Sequence, residues 1–76
     1  MQYTGTLKNA QRVHLGEGRY AAVGEIYNDA LGRFEDGERI KTSPITREID
    51  GTIHTKNSTY KIEWIPGSKT VEWKTL

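Results

Sequence analysis

Apolar and polar residues alternate along most of the chain, and this period of two is typical of β-strands with one buried face. The alternation is clearest in 60–64 and again in 70–74, with the turn residues Pro66-Gly67-Ser68 between them. Proline fixes one backbone dihedral in such a turn, and glycine supplies a positive φ. We therefore expect a C-terminal hairpin that places Trp64 and Trp73 on the same face of a sheet.

Shorter stretches of the same alternation predict the remaining strands. These strands cover residues 3–7, 11–15, 19–27, 38–42, 45–49 and 52–56. Asp50-Gly51, between the last two, is the strongest hairpin signal in the chain, because a type I′ turn favours this pair of residues. Lys8-Asn9 is consistent with either a turn or a bulge, and Gly24 indicates a bend or a close approach of two backbones.

The stretch 28–37 is the least strand-like part of the chain. It is equally consistent with an irregular loop and with a single helical turn that Asn28 or Asp29 caps and Gly32 ends. No long helix is expected, because no window has apolar residues at helical spacing. The expected fold class is all-β: one domain over 1–76, forming a small antiparallel barrel or sandwich, SH3-like or OB-like, with at most one short helical turn.

Composition limits how such a domain is stabilised and what it binds. A chain of 76 residues without cysteine has a modest core, no disulfide and no thiolate metal site, so homodimerisation remains as a compensation. Eleven basic against ten acidic residues give a net charge of +1, which suits neither a non-specific nucleic-acid binder nor an acidic DNA mimic. We expect no metal and no cofactor, since His14 and His54 have no carboxylate at ligand spacing.

The sequence predicts no association with a membrane. The segment 1–6 lacks the basic and apolar regions of a signal peptide. No apolar run approaches the length that crosses a bilayer. The expected location is the cytoplasm.

No motif predicts an enzyme. The segment 16–21 fits the loose pattern G-x-G-x-x-A, but a strand follows it where that motif requires a helix, so we interpret it as a hairpin loop. Glu35, Asp36 and Glu38 stand beside Gly37 in a turn-rich region, where water would level their pKa values. An enzyme is therefore the third-ranked class, behind two kinds of binding protein.

Phe34 gives the strongest indication of a binding site. It lies beside Arg33 in the irregular stretch and has no apolar partner at strand spacing. Aromatic and arginine side chains contribute most of the energy of protein interfaces, so Tyr27, Arg33, Phe34 and Arg39 are the predicted contacts with a protein partner. The alternative is that Phe34 folds inward and closes one end of the barrel.

The second-ranked function is a nucleic-acid-binding barrel that combines cations on the phosphate backbone with a stacking aromatic residue. Its predicted cations are Arg39, Lys41, Arg47 and Lys56. Acidic residues interleave with them along the chain. A solvated face of mixed charge explains the same pattern without any ligand.

Residues 26–43 follow the pattern I-Y-x-D-x-x-G-R-F-x-D-G-x-x-I-x-T-S, and residues 57–60 follow N-S-x-Y. With their flanking residues, the segments 24–43 and 55–60 resemble small accessory proteins encoded by bacteriophages and prophages. The resemblance implies the product of a mobile element, and short proteins of that kind often bind and block a host enzyme or a defence complex. The first-ranked function is accordingly a phage-type inhibitor or modulator that acts by protein–protein contact.

Overall fold

The computed structural model describes residues 3–73, which form seven β-strands and no α-helix. In chain order the strands are β1 Gly5–Gly16, β2 Arg19–Tyr27, β3 Glu38–Lys41, β4 Arg47–Ile49, β5 Thr52–His54, β6 Thr59–Trp64 and β7 Val71–Glu72. The all-β class predicted from the alternation is confirmed. The stretch 28–37 is an irregular loop and contains no helical turn.

The strands form one mixed sheet in the order β3-β2-β1-β6-β5-β4, with β7 also paired to β1. The sheet is not a closed barrel, because β3 and β4 lie at opposite ends of this order and do not pair within residues 3–73. Segment 42–46 connects the two ends. The Ile45 amide donates to the Tyr20 carbonyl on β2 at 2.7 Å, and the Thr46 amide donates to the His54 carbonyl on β5 at 2.8 Å.

The predicted C-terminal hairpin is wrong. Strands β6 and β7 both run parallel to β1 and lie end to end along it, with Ala10 opposite Trp64 and Val13 opposite Val71. The turn after β6 moves the chain along the edge of β1, because β1 extends well beyond the end of β6 and its remaining backbone groups pair with β7. Lys74, which the predicted hairpin included, lies outside the described residues.

The shorter turns match the sequence. Asp50 and Gly51 both have positive φ, 44° and 74°, as the type I′ turn between β4 and β5 requires. Asn9 has a φ of 51° and lies where the pairing of β1 with β2 shifts register, so the bulge interpretation of Lys8-Asn9 is confirmed. Opposite this bulge, a Cβ on Gly24 would lie 3.0 Å from the Lys8 carbonyl oxygen, which confirms the predicted close approach of two backbones.

The bulge also determines which side chains of β1 face each side of the sheet. One extra residue reverses the alternation, so Leu7 and Ala10 share one face while Val13 lies on the other. The inner cluster comprises Leu7, Ala10, Ala22, Ile26, Ile40, Ile53, Tyr60 and Ile62, with Phe34, Ile45 and Trp64 packed against it. The outer cluster comprises Val13, Ala21 and Val23, with Leu15 and Val71 packed against it.

The two tryptophans lie on opposite faces of the sheet, which corrects the prediction that they share one. Trp64 packs against the inner cluster. The Trp73 ring lines a groove with Val23 of the outer cluster and lies 5.2 Å from the Lys41 ammonium on β3. Trp73 therefore reaches back over the outer face from the β7 side towards β3.

Candidate functional site

Loop 28–37 is held in one conformation by the carboxylate of Asp29. This side chain is only 1% exposed. Its two oxygens accept backbone hydrogen bonds from Leu31 at 3.3 Å, Arg33 at 2.7 Å and Phe34 at 3.2 Å. A buried carboxylate that accepts several amide hydrogen bonds fixes the backbone around it, because leaving any of these groups unpaired would cost free energy.

The Arg33 guanidinium completes the coordination of Asp29. Its Nε and NH2 groups donate to the carboxylate at 3.4 and 3.3 Å, and NH2 also donates to the Tyr60 hydroxyl at 3.3 Å. The hydrogen bonds from Arg33 hold the pKa of Asp29 below its usual value, and those to Asp29 and Tyr60 raise the pKa of Arg33. Both groups are therefore charged at neutral pH, with the carboxylate enclosed and the guanidinium 40% exposed.

Three further hydrogen bonds attach the loop to the sheet and close its base. The Ala30 amide donates to the Thr4 carbonyl at 2.7 Å, and the Gly37 amide donates to the Ile26 carbonyl at 2.7 Å. The Asn28 amide donates to the Asp36 carboxylate at 2.8 Å. The loop is thus bound to the chain at both ends and around its centre.

Leu31 projects from this fixed loop into solvent. It is 61% exposed, more than any other large hydrophobic residue in 3–73. Its own backbone amide is one of the groups bound by Asp29, so the position of its Cα is defined even though its side chain is solvated. Leu31 and the half-exposed Arg33 together form the loop surface, which is the candidate functional site.

The side chains of the predicted contacts Phe34 and Tyr27 both make contacts within the protein itself. Phe34 is half-buried and packs against the inner cluster, and the Arg33 guanidinium lies 5.1 Å from its ring centre. The Tyr27 hydroxyl donates to Glu25 at 3.1 Å, which raises the pKa of Tyr27, and Lys8 lies 5.3 Å from its ring centre. Of the four predicted contacts, Arg33 and Arg39 are exposed, whereas Tyr27 and Phe34 are half-buried.

The four cations of the nucleic-acid alternative do not lie on neighbouring strands. Arg39 and Lys41 lie on β3, Arg47 lies on β4, and Lys56 lies in the turn between β5 and β6. Because β3 and β4 form opposite ends of the strand order, the sheet does not align these cations along one continuous ladder. Arg39 and Lys41 instead line the outer groove with Trp73.

The remaining ionisable side chains do not form a cluster that indicates a metal or catalytic site in the described residues. Within residues 3–73, no group of three or more His, Cys, Asp or Glu side chains is arranged to hold a metal ion. Glu35, Asp36 and Glu38 are exposed, as the turn-rich sequence around them predicts. A hydrogen bond of 2.9 Å joins His14 Nδ1 to the Glu72 carboxylate, and the His14 ring is tilted against the Tyr20 ring at a centroid distance of 5.0 Å.

The sequence singled out Phe34, but it did not predict that Asp29 holds the loop backbone or that Leu31 is exposed. The useful signal was Asp29 followed by Leu31, Gly32 and Arg33, because an aspartate often accepts the amide two residues ahead and organises a turn. Within this loop Leu31 is exposed, whereas Phe34, whose amide also donates to Asp29, packs against the inner cluster. The position of Trp73 had no local signal, since it depends on the pairing of β7 with β1.

A scan against protein-family models and searches of curated proteins and of solved structures gave no match to this chain. Within residues 3–73, no helix has the length and apolar character to cross a membrane.

Proposed function

We propose that this protein is a small non-enzymatic binding domain that contacts a protein partner through the loop surface, with Leu31 as the apolar anchor and Arg33 beside it. The observation that carries the proposal is the exposure of Leu31 on a backbone that Asp29 holds in place. A preorganised loop loses little conformational entropy on binding, so burial of its apolar side chain contributes more fully to affinity. Leucine and arginine then form the centre and the edge of the contact.

The charge of the loop favours a protein over a nucleic acid as the partner. Residues 28–37 contain one arginine against three acidic residues, Asp29, Glu35 and Asp36. The single cation is already paired with the enclosed Asp29 carboxylate. Phosphate groups would meet two exposed carboxylates here, whereas a protein surface with an apolar pocket and a basic rim would match the loop.

The resemblance to phage and prophage accessory proteins supports a specific form of this proposal. In that form the domain inhibits or modulates a host enzyme or a defence complex by occupying part of its surface. The loop surface lies within a segment that carries the resemblance, since Asp29, Gly32 and Arg33 belong to the shared pattern. These residues build the loop, and Leu31 is the position within it that contacts the partner.

The test is affinity capture from bacterial lysate with the wild-type protein and with Leu31→Glu, in the presence of nuclease. A stoichiometric partner should be retained by the wild type and lost by the variant. Placing a charge at the anchor should weaken binding by about 2 kcal/mol or more, which is roughly a 30-fold loss of affinity. The affinity is then measured by calorimetry with the purified partner.

Ile65→Glu is the matched control. Ile65 is also an exposed aliphatic residue in a loop, 39% exposed, and its backbone amide is bound by the Ala10 carbonyl. This variant should retain the partner at wild-type affinity. Equal loss of the partner with both variants, or capture that disappears on nuclease treatment, would refute the proposal.

A further inference from the structure

The outer edge of β3 is open for pairing. Strand β3 ends the strand order and pairs with β2 on one side only. The Thr42 amide donates to the Ala22 carbonyl at 2.9 Å and the Ala22 amide donates to the Thr42 hydroxyl at 3.0 Å, so Ala22 and Thr42 stand at the position of a hydrogen-bonded pair of the antiparallel ladder. Such pairs alternate along the ladder, so the backbone N–H and C=O groups of Ile40 also point towards β2. Those of Arg39 and Lys41 point in the opposite direction, out from the open edge of the sheet. Among residues 3–73 no backbone hydrogen bond reaches those outward groups.

Both cations project from this edge onto the outer face of the sheet. Lys41 lies opposite Val23 of the outer cluster and Arg39 lies opposite Glu25, and residues opposite one another share a face. The Glu25 carboxylate accepts hydrogen bonds from Tyr27 and from Asn9. The ion pairs formed within residues 3–73 include neither Arg39 nor Lys41. Two exposed positive charges therefore lie at alternate positions of an open edge.

This charge pattern disfavours a second copy of β3 as the occupant. If two copies paired through their outward groups, Arg39 and Lys41 would have to lie opposite residues with the same outward orientation. The registers within the strand then place arginine opposite lysine, arginine opposite arginine or lysine opposite lysine. Like charges directly opposite one another destabilise an antiparallel pair, and cations on an edge strand are a known barrier to self-association.

We propose that the edge of β3 binds an extended acidic segment of a partner protein, which adds to the sheet as a further strand. The outward backbone groups of Arg39 and Lys41 provide the hydrogen bonds for such a strand, as in other cases of strand addition. Acidic side chains at alternate positions of the segment lie opposite the two cations. A groove of about 320 Å³ between these cations, Val23 and Trp73 receives the apolar parts of neighbouring side chains.

This proposal goes beyond the contact made by the loop surface and does not depend on it. Leu31 and Arg33 belong to the loop before β3, and the edge is defined by Arg39 and Lys41. The competing explanation is that the two cations only prevent edge-to-edge aggregation, in which case no extended segment binds. The two explanations differ in a direct binding experiment.

The experiment measures binding of a synthetic peptide, Ser-Thr-Glu-Val-Glu-Thr-Ser, to the full chain by NMR titration and amide hydrogen exchange. The Arg39 and Lys41 amides should exchange rapidly in the free protein and become protected when the peptide binds, whereas the Ile40 amide should be protected in both states. A peptide with lysine in place of both glutamates should bind about tenfold more weakly or less. A peptide that is N-methylated at the backbone amides of both glutamates should lose binding, because these amides can no longer donate hydrogen bonds to the carbonyls of the β3 edge.

The double variant Arg39→Glu/Lys41→Glu should reverse the preference and bind the lysine peptide more tightly than the glutamate peptide. Arg47→Glu/Lys56→Glu changes the net charge by the same amount at other sites and should keep the wild-type preference. Leu31→Glu should also bind the peptide normally, which separates failure of this proposal from failure of the loop contact. No protection of Arg39 and Lys41, or equal effects of the two double variants, would overturn the proposal. So would tight, salt-sensitive binding of an oligothymidylate without amide protection, since it would identify single-stranded nucleic acid as the ligand.

Discussion

Two segments of this protein, loop 28–37 and the C-terminal segment 65–73, are held in place by different means. In the loop, one buried carboxylate accepts hydrogen bonds from the backbone and from Arg33. In the C-terminal segment, β7 pairs with the end of β1, and Val71 packs against the outer cluster. The first arrangement is local in sequence and polar. The second is distant in sequence and depends on backbone pairing and on apolar contact.

This difference makes the loop the better candidate for a binding site. A local polar network defines the backbone of the loop, so Leu31 is exposed in a fixed position while Phe34 packs against the inner cluster. The C-terminal segment is held by pairing with β1 instead, with Val71 packed against the outer cluster and Trp73 beside Val23 on the outer face. The C-terminal segment is stabilised by backbone pairing and by the apolar surface that it buries. Loop 28–37 is stabilised by its internal hydrogen bonds, so it can expose an apolar side chain.

Replacing Asp29 with alanine tests the local network most severely. The change leaves the backbone amides of Leu31, Arg33 and Phe34 and the Arg33 guanidinium without their acceptor. We expect the largest loss of stability among the variants discussed, a fall in the urea midpoint of about 2.5 M or more. Urea unfolding followed by circular dichroism measures the midpoint.

Asp36→Ala is the control for this experiment. Its exposed carboxylate accepts one backbone hydrogen bond in the loop, from the Asn28 amide. We expect its urea midpoint to fall by less than half as much. If the two aspartate variants were equally stable, the carboxylate of Asp29 would not be what holds the loop.

Replacing Phe34 with alanine tests whether the loop contributes to the inner cluster. The sequence predicted Phe34 as a contact with a protein partner, but the ring is half-buried against that cluster. Removing a partly buried ring should lower the free energy of unfolding by about 2 kcal/mol, less than for a fully buried phenylalanine. Unchanged stability in urea would show that the ring is not part of the core and would restore it as a contact residue.

The features that sequence predicted correctly depend on neighbouring residues. Asp50-Gly51 specified a hairpin because few other residues tolerate two successive positive φ values, and Gly24 indicated close packing because a Cβ would meet the Lys8 carbonyl. The parallel pairing of β6 and β7 with β1 has no such local requirement. The alternation in 60–64 and 70–74 is the same whether the two strands face each other or both face β1, so the hairpin was predicted wrongly.

The candidate site was predicted only in part for a related reason. Periodicity identified 28–37 as irregular, and the exposed Arg33 belongs to both the predicted and the observed surface. It could not show that Phe34 turns inward while Leu31 turns outward, because that choice follows from the hydrogen bonds to Asp29. Side-chain direction in a loop depends on its internal bonds, and an alternating pattern carries no information about them.

Replacing Val71 with alanine tests how far apolar packing against the outer cluster stabilises the C-terminal segment. Val71 lies opposite Val13 and is partly buried against the outer cluster, so the loss of its methyl groups should cost about 1 kcal/mol. Amide exchange should rise in β7 and at the end of β1 and stay unchanged in 28–37. Faster exchange in the loop as well would mean that the two segments are not independent.

The smallest effect should come from acid, and it should appear in the loop alone. The hydrogen bonds from Arg33 lower the pKa of Asp29 in the folded state, so this carboxylate stabilises the protein above its unfolded pKa of about 4. That contribution is lost as the pH falls through the lower folded pKa, and at pH 3.5 only part of it is lost. Amide exchange in 28–37, corrected for its intrinsic pH dependence, should therefore show a modest loss of protection between pH 6 and pH 3.5. Asp29→Asn, which has no charge to lose, should show no such change, and an equal change in the variant would assign the acid sensitivity to other groups.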